Sequence, residues 1–268
     1  INEIDPGNVV QTVTENPTFS GTKSDVAVVD NSLVLVTTLL FDSATGNFDD
    51  FAGLFDGGGS SVDNEGTYDF ATVVDLGSKF TSRLTSKVEI SRVDYVNVFE
   101  EAAGLFDARE GFFDGDTSSF GDTNATLQIA TTDDDPSSSP TFTDFRTFTV
   151  GEYSARAFKF RAILNSADLS ASPKVSTLQV TVDMPDRFEH GNDISSGTDA
   201  GGKTVTFSPA FKSLENVAIT AQNMASGDFF VVSSKSASGF NVVFKNSSNT
   251  VIDRTFDFQA KGFGAVIS

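Results

Sequence analysis

The chain has no cysteine, no tryptophan and a single histidine among its 268 residues. Each shortage closes off a class of chemistry. Without cysteine there is no disulfide framework, no thiolate nucleophile and no metal site built on sulfur. One imidazole, His190, excludes a multi-histidine metal centre. It is also the only imidazole base for a serine nucleophile, and it sits in a Gly-Asn-Asp stretch that reads as linker, with no strand–turn–helix elbow to accompany it. Long apolar runs are missing too. The longest, residues 33–41, contains two threonines and falls well short of the roughly 20 residues a membrane-spanning helix needs. Positive charge is scarce: 18 Lys and Arg stand against 37 Asp and Glu, a formal net charge of -19. Such a field repels nucleic acid and anionic membrane, so no nucleic-acid partner is expected. The glycines at 57–59 lack the lysine and helix of a phosphate loop. The chain opens on Ile1 with no signal-like pattern behind it, and reads as a piece or processed form of something longer.

Phenylalanine, by contrast, occurs 27 times. Phe favours strands and buries a large apolar area, so a Phe-filled β protein is expected. Residues 33–41 form a β-branched apolar run suited to a strand buried on both faces. Period-two alternation marks residues 67–74, 83–90, 125–130, 157–164 and 175–182. Gly, Ser, Asp and Pro clusters at 57–61, 133–140 and 197–202 separate them, and no window offers a capped amphipathic helix. This is an all-β pattern, and it predicts two successive antiparallel β-sandwich modules. Proline ends ladder pairing, so the boundary falls at Met184-Pro185. Residues 1–28 read as a linker or edge strand, 29–184 as the first sandwich and 185–268 as the second. The segment from Asp186 to Lys203 reads as polar connection.

Several carboxylate clusters invite a site. Residues 48–56 echo 99–107, and 111–114 repeat the short form. Either these are paired loops that tuck Leu-Phe under a sheet, or Asp56, Asp107 and Asp114 bind a ligand or ion. Asp114, Asp116, Ser118 and Asp122 match four positions of a calcium loop, but Ser119 stands where glycine belongs and Ala125 where glutamate belongs. No cofactor and no metal is therefore expected. Asp133, Asp134 and Asp135 read as a hydrated hairpin tip. A glycosidase needs only a pair of carboxylates, and nothing selects one here, so the chain is expected not to be an enzyme. Aromatic-bearing loops on a sandwich are the ingredients of sugar recognition: a ring meets the C–H face of a pyranose, and Asp or Arg meets its hydroxyls. Asp228, Phe229, Arg254 and Phe258 are the candidate ligand-binding residues.

The motifs themselves add a resemblance. Met184-Pro185-Asp186-Arg187, residues 204–211 and 218–224, Gly227-Asp228-Phe229-Phe230, Gly239-Phe240 and residues 254–263 follow one another in an order that resembles the C-terminal part of tailed-bacteriophage host-specificity (tail-tip attachment) proteins. Residues 149–161, 103–115 and 134–140 are similar to further segments of that family. The likeness spans about residue 40 to 268 and is most specific in the last 120 residues. It implies a place at the distal tail of the virion (tip, baseplate or fibre), a homotrimer about the tail axis, neighbouring tail or baseplate proteins, and attachment to a host-surface glycan or outer-membrane receptor. The alternative it leaves open is a structural hub module that docks other tail proteins without recognising the host. The first module also looks like a galactose-binding jelly roll, on residues 67–77 and 156–161. The last resembles the six-stranded H-type lectins, with Phe258 in place of their signature tryptophan before Ala260 and Gly262.

Overall fold

The computed structural model describes residues 8–38, 61–94, 122–167 and 171–265. The echoed segments, Leu39 to Phe41 of the apolar run, and Asp114, Asp116 and Ser118 lie outside the described residues. Among those described, the chain is all-β with antiparallel sheets and no helix.

The first part contains β1 (Val9–Thr14), β2 (Thr22–Ser24), β3 (Val26–Val29), β4 (Ser32–Leu35), β5 (Thr37–Thr38) and β6 (Ser61–Val62). It continues with β7 (Glu65–Asp69), β8 (Val74–Asp94), β9 (Thr123–Thr132), β10 (Arg146–Thr147), β11 (Gly151–Ser166) and β12 (Ala171–Asp183). Ten of these strands form one hydrogen-bonded sheet rather than two separate ones. The reason is strand length. β8 runs for 21 residues; its first half pairs with β11 and its second half with β12, overlapping only near Arg83 and Leu84. β11 likewise changes partner from β8 to β7 along one edge while β9 follows the other. Bulges at Ala155/Ala157 and Val175/Thr177 bend the two long strands, so the sheet wraps a single core.

That core is aromatic and aliphatic, with Phe19, Tyr68, Phe158, Phe160, Leu33, Leu84 and Val180 all fully buried or nearly so. Each such side chain contributes on the order of 1.5–3 kcal/mol of apolar burial. Beyond its bulge β11 alternates: Phe158, Phe160, Ala162 and Leu164 point inward, and Lys159 and Arg161 outward. One buried carboxylate enters this core. Glu15 accepts a hydrogen bond from the Tyr68 hydroxyl, which in turn accepts one from Gly21 N–H at 2.8 Å.

Several expectations need correction. Residues 67–74 are not one strand, because β7 ends at Asp69 and the next residues turn into β8. Of the two readings of residues 1–28, the described part, 8–28, fits the edge strand and not the linker: β1 lies along β12, and Val13, Phe19 and Val26 belong to the core. The triple acid is largely exposed, as expected of a tip, but its carboxylates are also bonded. Asp133 pairs with Lys79 at 2.6 Å, Asp134 accepts Thr141 N–H at 2.9 Å, and Asp135 takes Ser137 and Arg156. The segment after it lies over β11, with Lys159 and Arg161 each 4.2 Å from the ring centres of Phe142 and Phe145. The sequence shows carboxylates; only the fold supplies their cations.

The second part holds β13 (Asp186–Ser195), β14 (Lys203–Thr206), β15 (Ser213–Ala221), β16 (Phe229–Ser236), β17 (Gly239–Lys245) and β18 (Thr255–Phe263). They form two three-stranded sheets, β13-β18-β15 and β14-β17-β16. Phe207, Phe211, Phe240, Phe244, Phe256 and Phe258 fill the space between them. The segment from Asp186 to Lys203 is not all connection: its first ten residues are a strand paired along β18. Its Gly and Asn residues fall at the bulge between Gly191 and Ile194, which is why the stretch looked like a linker.

The two parts are bonded to each other. Lys212 Nζ donates to Leu76 O at 2.7 Å, Thr81 N to Ala265 O at 2.8 Å, and Asn8 Nδ2 to Asp186 Oδ1 at 2.9 Å. At the turn between them Asp183 is buried and lies 3.6 Å from Arg83.

Candidate functional site

Three segments converge at one end of the second part: the bulged end of β13 with the two residues after it (191–197), and the loops 222–228 and 246–254. Strand order brings them together, since β13 and β15 flank β18 on one sheet and β16 and β17 adjoin on the other. Side chains then tie them. Gln222 Nε2 donates to Asp193 Oδ1 at 3.2 Å and to Asp257 Oδ1 at 3.1 Å. Asp253 Oδ1 accepts from Ser195 Oγ at 2.9 Å and from Gly197 N–H at 2.8 Å. Gly227, at φ 85°, packs against Ser247; a Cβ there would sit 2.9 Å from the serine Cβ, so only glycine allows the approach.

Asp228 and Arg254 form the strongest contact of the group. Both Nε and Nη2 of Arg254 reach the same oxygen, Oδ2, at 2.8 and 2.5 Å. That oxygen also accepts Ala225 N–H at 2.9 Å, closing the turn before β16. The Ala225 N–H, followed by the Arg254 guanidinium, holds the Asp228 carboxyl below the usual carboxylate range. The Ser195 hydroxyl and the Gly197 N–H do the same for Asp253. Both are anions at neutral pH. The side chain of Asp228 is 3% exposed and that of Arg254 24%, so the carboxylate is an internal anchor while the guanidinium keeps one side in water.

Two of the four sequence candidates therefore come together, and a third adjoins them along the chain. Asp228 and Arg254 are bonded, and Phe229 is the next residue, 41% exposed on the outer face beside Lys245. The fourth does not join them. Phe258 is a core ring, 8% exposed, packed edge-on to Phe240 at 5.3 Å and near Phe207 at 6.1 Å. Its inward position follows from β18 alternation, which aims Phe256, Phe258 and Ala260 at the core. Burial takes it out of the surface set.

Sequence reasoning did not single out Asp193, Gln222, Asp253 or Asp257. Their partners are 29 to 64 residues away in the chain, and no local pattern reports such pairings. His190, the sole imidazole, is exposed on β13 opposite Gln259. Among the described residues no group of three or more His, Asp or Glu is placed to hold a metal ion. Chemically, the loop end offers hydrogen-bond acceptors and a partly open guanidinium, and β16 beside it begins with two open aromatic rings, Phe229 and Phe230. No family model matches the chain, and neither a curated protein nor a solved structure matches it. What this end does must be argued from its own groups.

Proposed function

We propose that the chain is the host-recognition part of a bacteriophage tail tip, a non-enzymatic binding protein that attaches the virion to a bacterial surface glycan or receptor. The observations that carry this reading are the Asp228–Arg254 pair with the Asp- and Gln-bearing loops tied around it, and the exposed Phe229 ring, the next residue along the chain, on the outer face of β16. A pyranose has an apolar C–H face and a rim of hydroxyls. On a surface glycan of several units, Phe229 meets the apolar face of one sugar, and Asp193, Asp253, Gln222 and the open side of Arg254 meet the hydroxyls of another. Rigid aromatic anchors of this kind, flanked by oriented polar groups, are how small polar ligands are held.

The motif order from Met184 to Phe263 supports the tail-tip assignment, and the six strands in two sheets accord with the H-type lectin likeness of the last module. In this reading the first part is the galactose-binding-like module, copies surround the threefold tail axis beside other tail proteins, and the loop end faces the envelope.

Adsorption of the purified protein to host cells, and its competition with purified envelope glycans, tests the proposal. Saturable binding that falls at least about tenfold in Phe229→Ala is expected. Binding to no component of the host envelope would overturn it. A virion image with the loop end covered by other tail proteins would instead make the chain a structural hub.

A further inference from the structure

All eight residues of β16 are exposed. Phe229, Phe230, Val231 and Val232 are 41%, 39%, 47% and 37% accessible. Among the described residues the strand lies at a sheet edge, bonded to β17 on one side, so within that set its other side presents a row of backbone N–H and C=O groups available to a further strand. Register with β17 sets its faces: Val231 lies opposite Val243 on the outer face, and Phe230 lies opposite Phe244, rings 5.4 Å apart, at the margin of the core. Residues 229–234 carry no charge. Edge strands are ordinarily blunted by charge, proline or a bulge. Here the irregularity between Ser233 and Ser236, with Ser234 at φ 52°, does so only at the far end.

An open backbone edge calls for an extended strand, and apolar side chains on both faces call for a strand apolar on both faces. We propose that the occupant is β16 of a second copy, added antiparallel about a twofold axis through Val231. Such an axis stands normal to the sheet, so each residue meets one on its own face. Val231 meets its counterpart, Phe230 meets Val232, and Phe229 meets Ser233. Charge favours the same arrangement. Two chains of net charge -19 repel each other and can touch only where charge is absent or opposed. The middle of β16, residues 229–234, is uncharged, so like charges are kept apart along the joint. This joint is twofold, distinct from any contact about a threefold axis, and does not rest on the glycan-binding reading.

Cysteine placement tests it, because the chain has none of its own. Facing residues of an antiparallel pair have Cα atoms about 4.5–5.5 Å apart, within disulfide reach. Val231→Cys is expected to give a disulfide-linked dimer on mild oxidation, while Phe229→Cys, facing serine, stays uncrosslinked. Sedimentation of the unsubstituted chain is expected to show an even number of copies, halved by Val231→Lys without a change in melting temperature. A monomer, or an odd-numbered assembly indifferent to Val231→Lys, overturns the proposal. A trimer of that kind would leave the threefold tail arrangement standing while removing this joint. A monomer that gains mass only with host envelope extract would assign the strand to a host protein instead.

Discussion

The guanidinium of Arg187 lies 4.3 Å from the centre of the Phe211 ring and donates to the carbonyls of Pro209 at 2.7 Å, Ala210 at 3.0 Å and Gly264 at 3.2 Å. It also pairs with Glu189 at 2.7 Å while remaining 8% exposed. One side chain of the Met-Pro-Asp-Arg junction thus ties β13 to the loop after β14 and to the chain beyond β18. The most recognisable motif in the sequence is a structural fastening. Arg187→Lys retains the charge but cannot reproduce the planar fork or the stacking. Denaturant titration is expected to show a loss of about 2–4 kcal/mol, from the charged hydrogen bonds and the ring contact together. An unchanged midpoint would refute the fastening.

Phe229 and Phe258 separate surface from core. Phe258→Ala is expected to cost about 3–5 kcal/mol, the range for deleting a buried ring. Phe229→Ala should change stability by less than about 0.5 kcal/mol, as an exposed substitution does, while reducing adsorption to host cells. Melting curves and cell-binding assays on the pair check both halves.

Burial, and then the Glu15 carboxylate, push the Tyr68 phenol far above the ordinary tyrosine range. A raised phenol in the folded state means that the unfolded chain loses the proton first. Stability is therefore flat below about pH 10, the unfolded value, and falls above it by up to about 1.4 kcal/mol per pH unit. Tyr68→Phe removes that alkaline slope. It also leaves Glu15 short of a donor, costing about 1–3 kcal/mol at neutral pH. Ultraviolet titration should find one of the three tyrosines silent until the protein unfolds.

The acid limb has the opposite sign. The carboxyls of Asp228, Asp253 and Asp186 are held below their ordinary value of 3.8 by hydrogen bonds from Ala225 N–H, Ser195 Oγ and Asn8 Nδ2 respectively. Their contribution is complete above about pH 4, the unfolded value, and is lost as pH falls below it. Asp228→Asn should flatten the fall of melting temperature between pH 5 and pH 3 relative to the parent chain. An identical slope would show that the Arg254 pair does not form in solution.

Composition and periodicity were enough for the all-β class, for the strands at 125–130, 157–164 and 175–182, and for the change of element at Met184-Pro185. Each of these is a local property: alternation sets which face a residue takes, and proline stops a ladder where it stands. Locality also explains the misreadings. The Gly and Asn residues of β13 look the same whether they form a linker or a bulge, and only pairing with β18 distinguishes the two. The three acids at 133–135 look hydrated until Lys79 and Arg156 arrive from β8 and β11. Phe258 looks like a signature ring until both sheets close over it. The partners of Asp228 and Asp253 lie 26 and 58 residues away in the chain. The sequence determined which segments extend and which side of each is apolar. Which strands become neighbours, which charges meet and which rings stay in water were decided by the tertiary fold, because those contacts join residues whose separation along the chain carries no local signal.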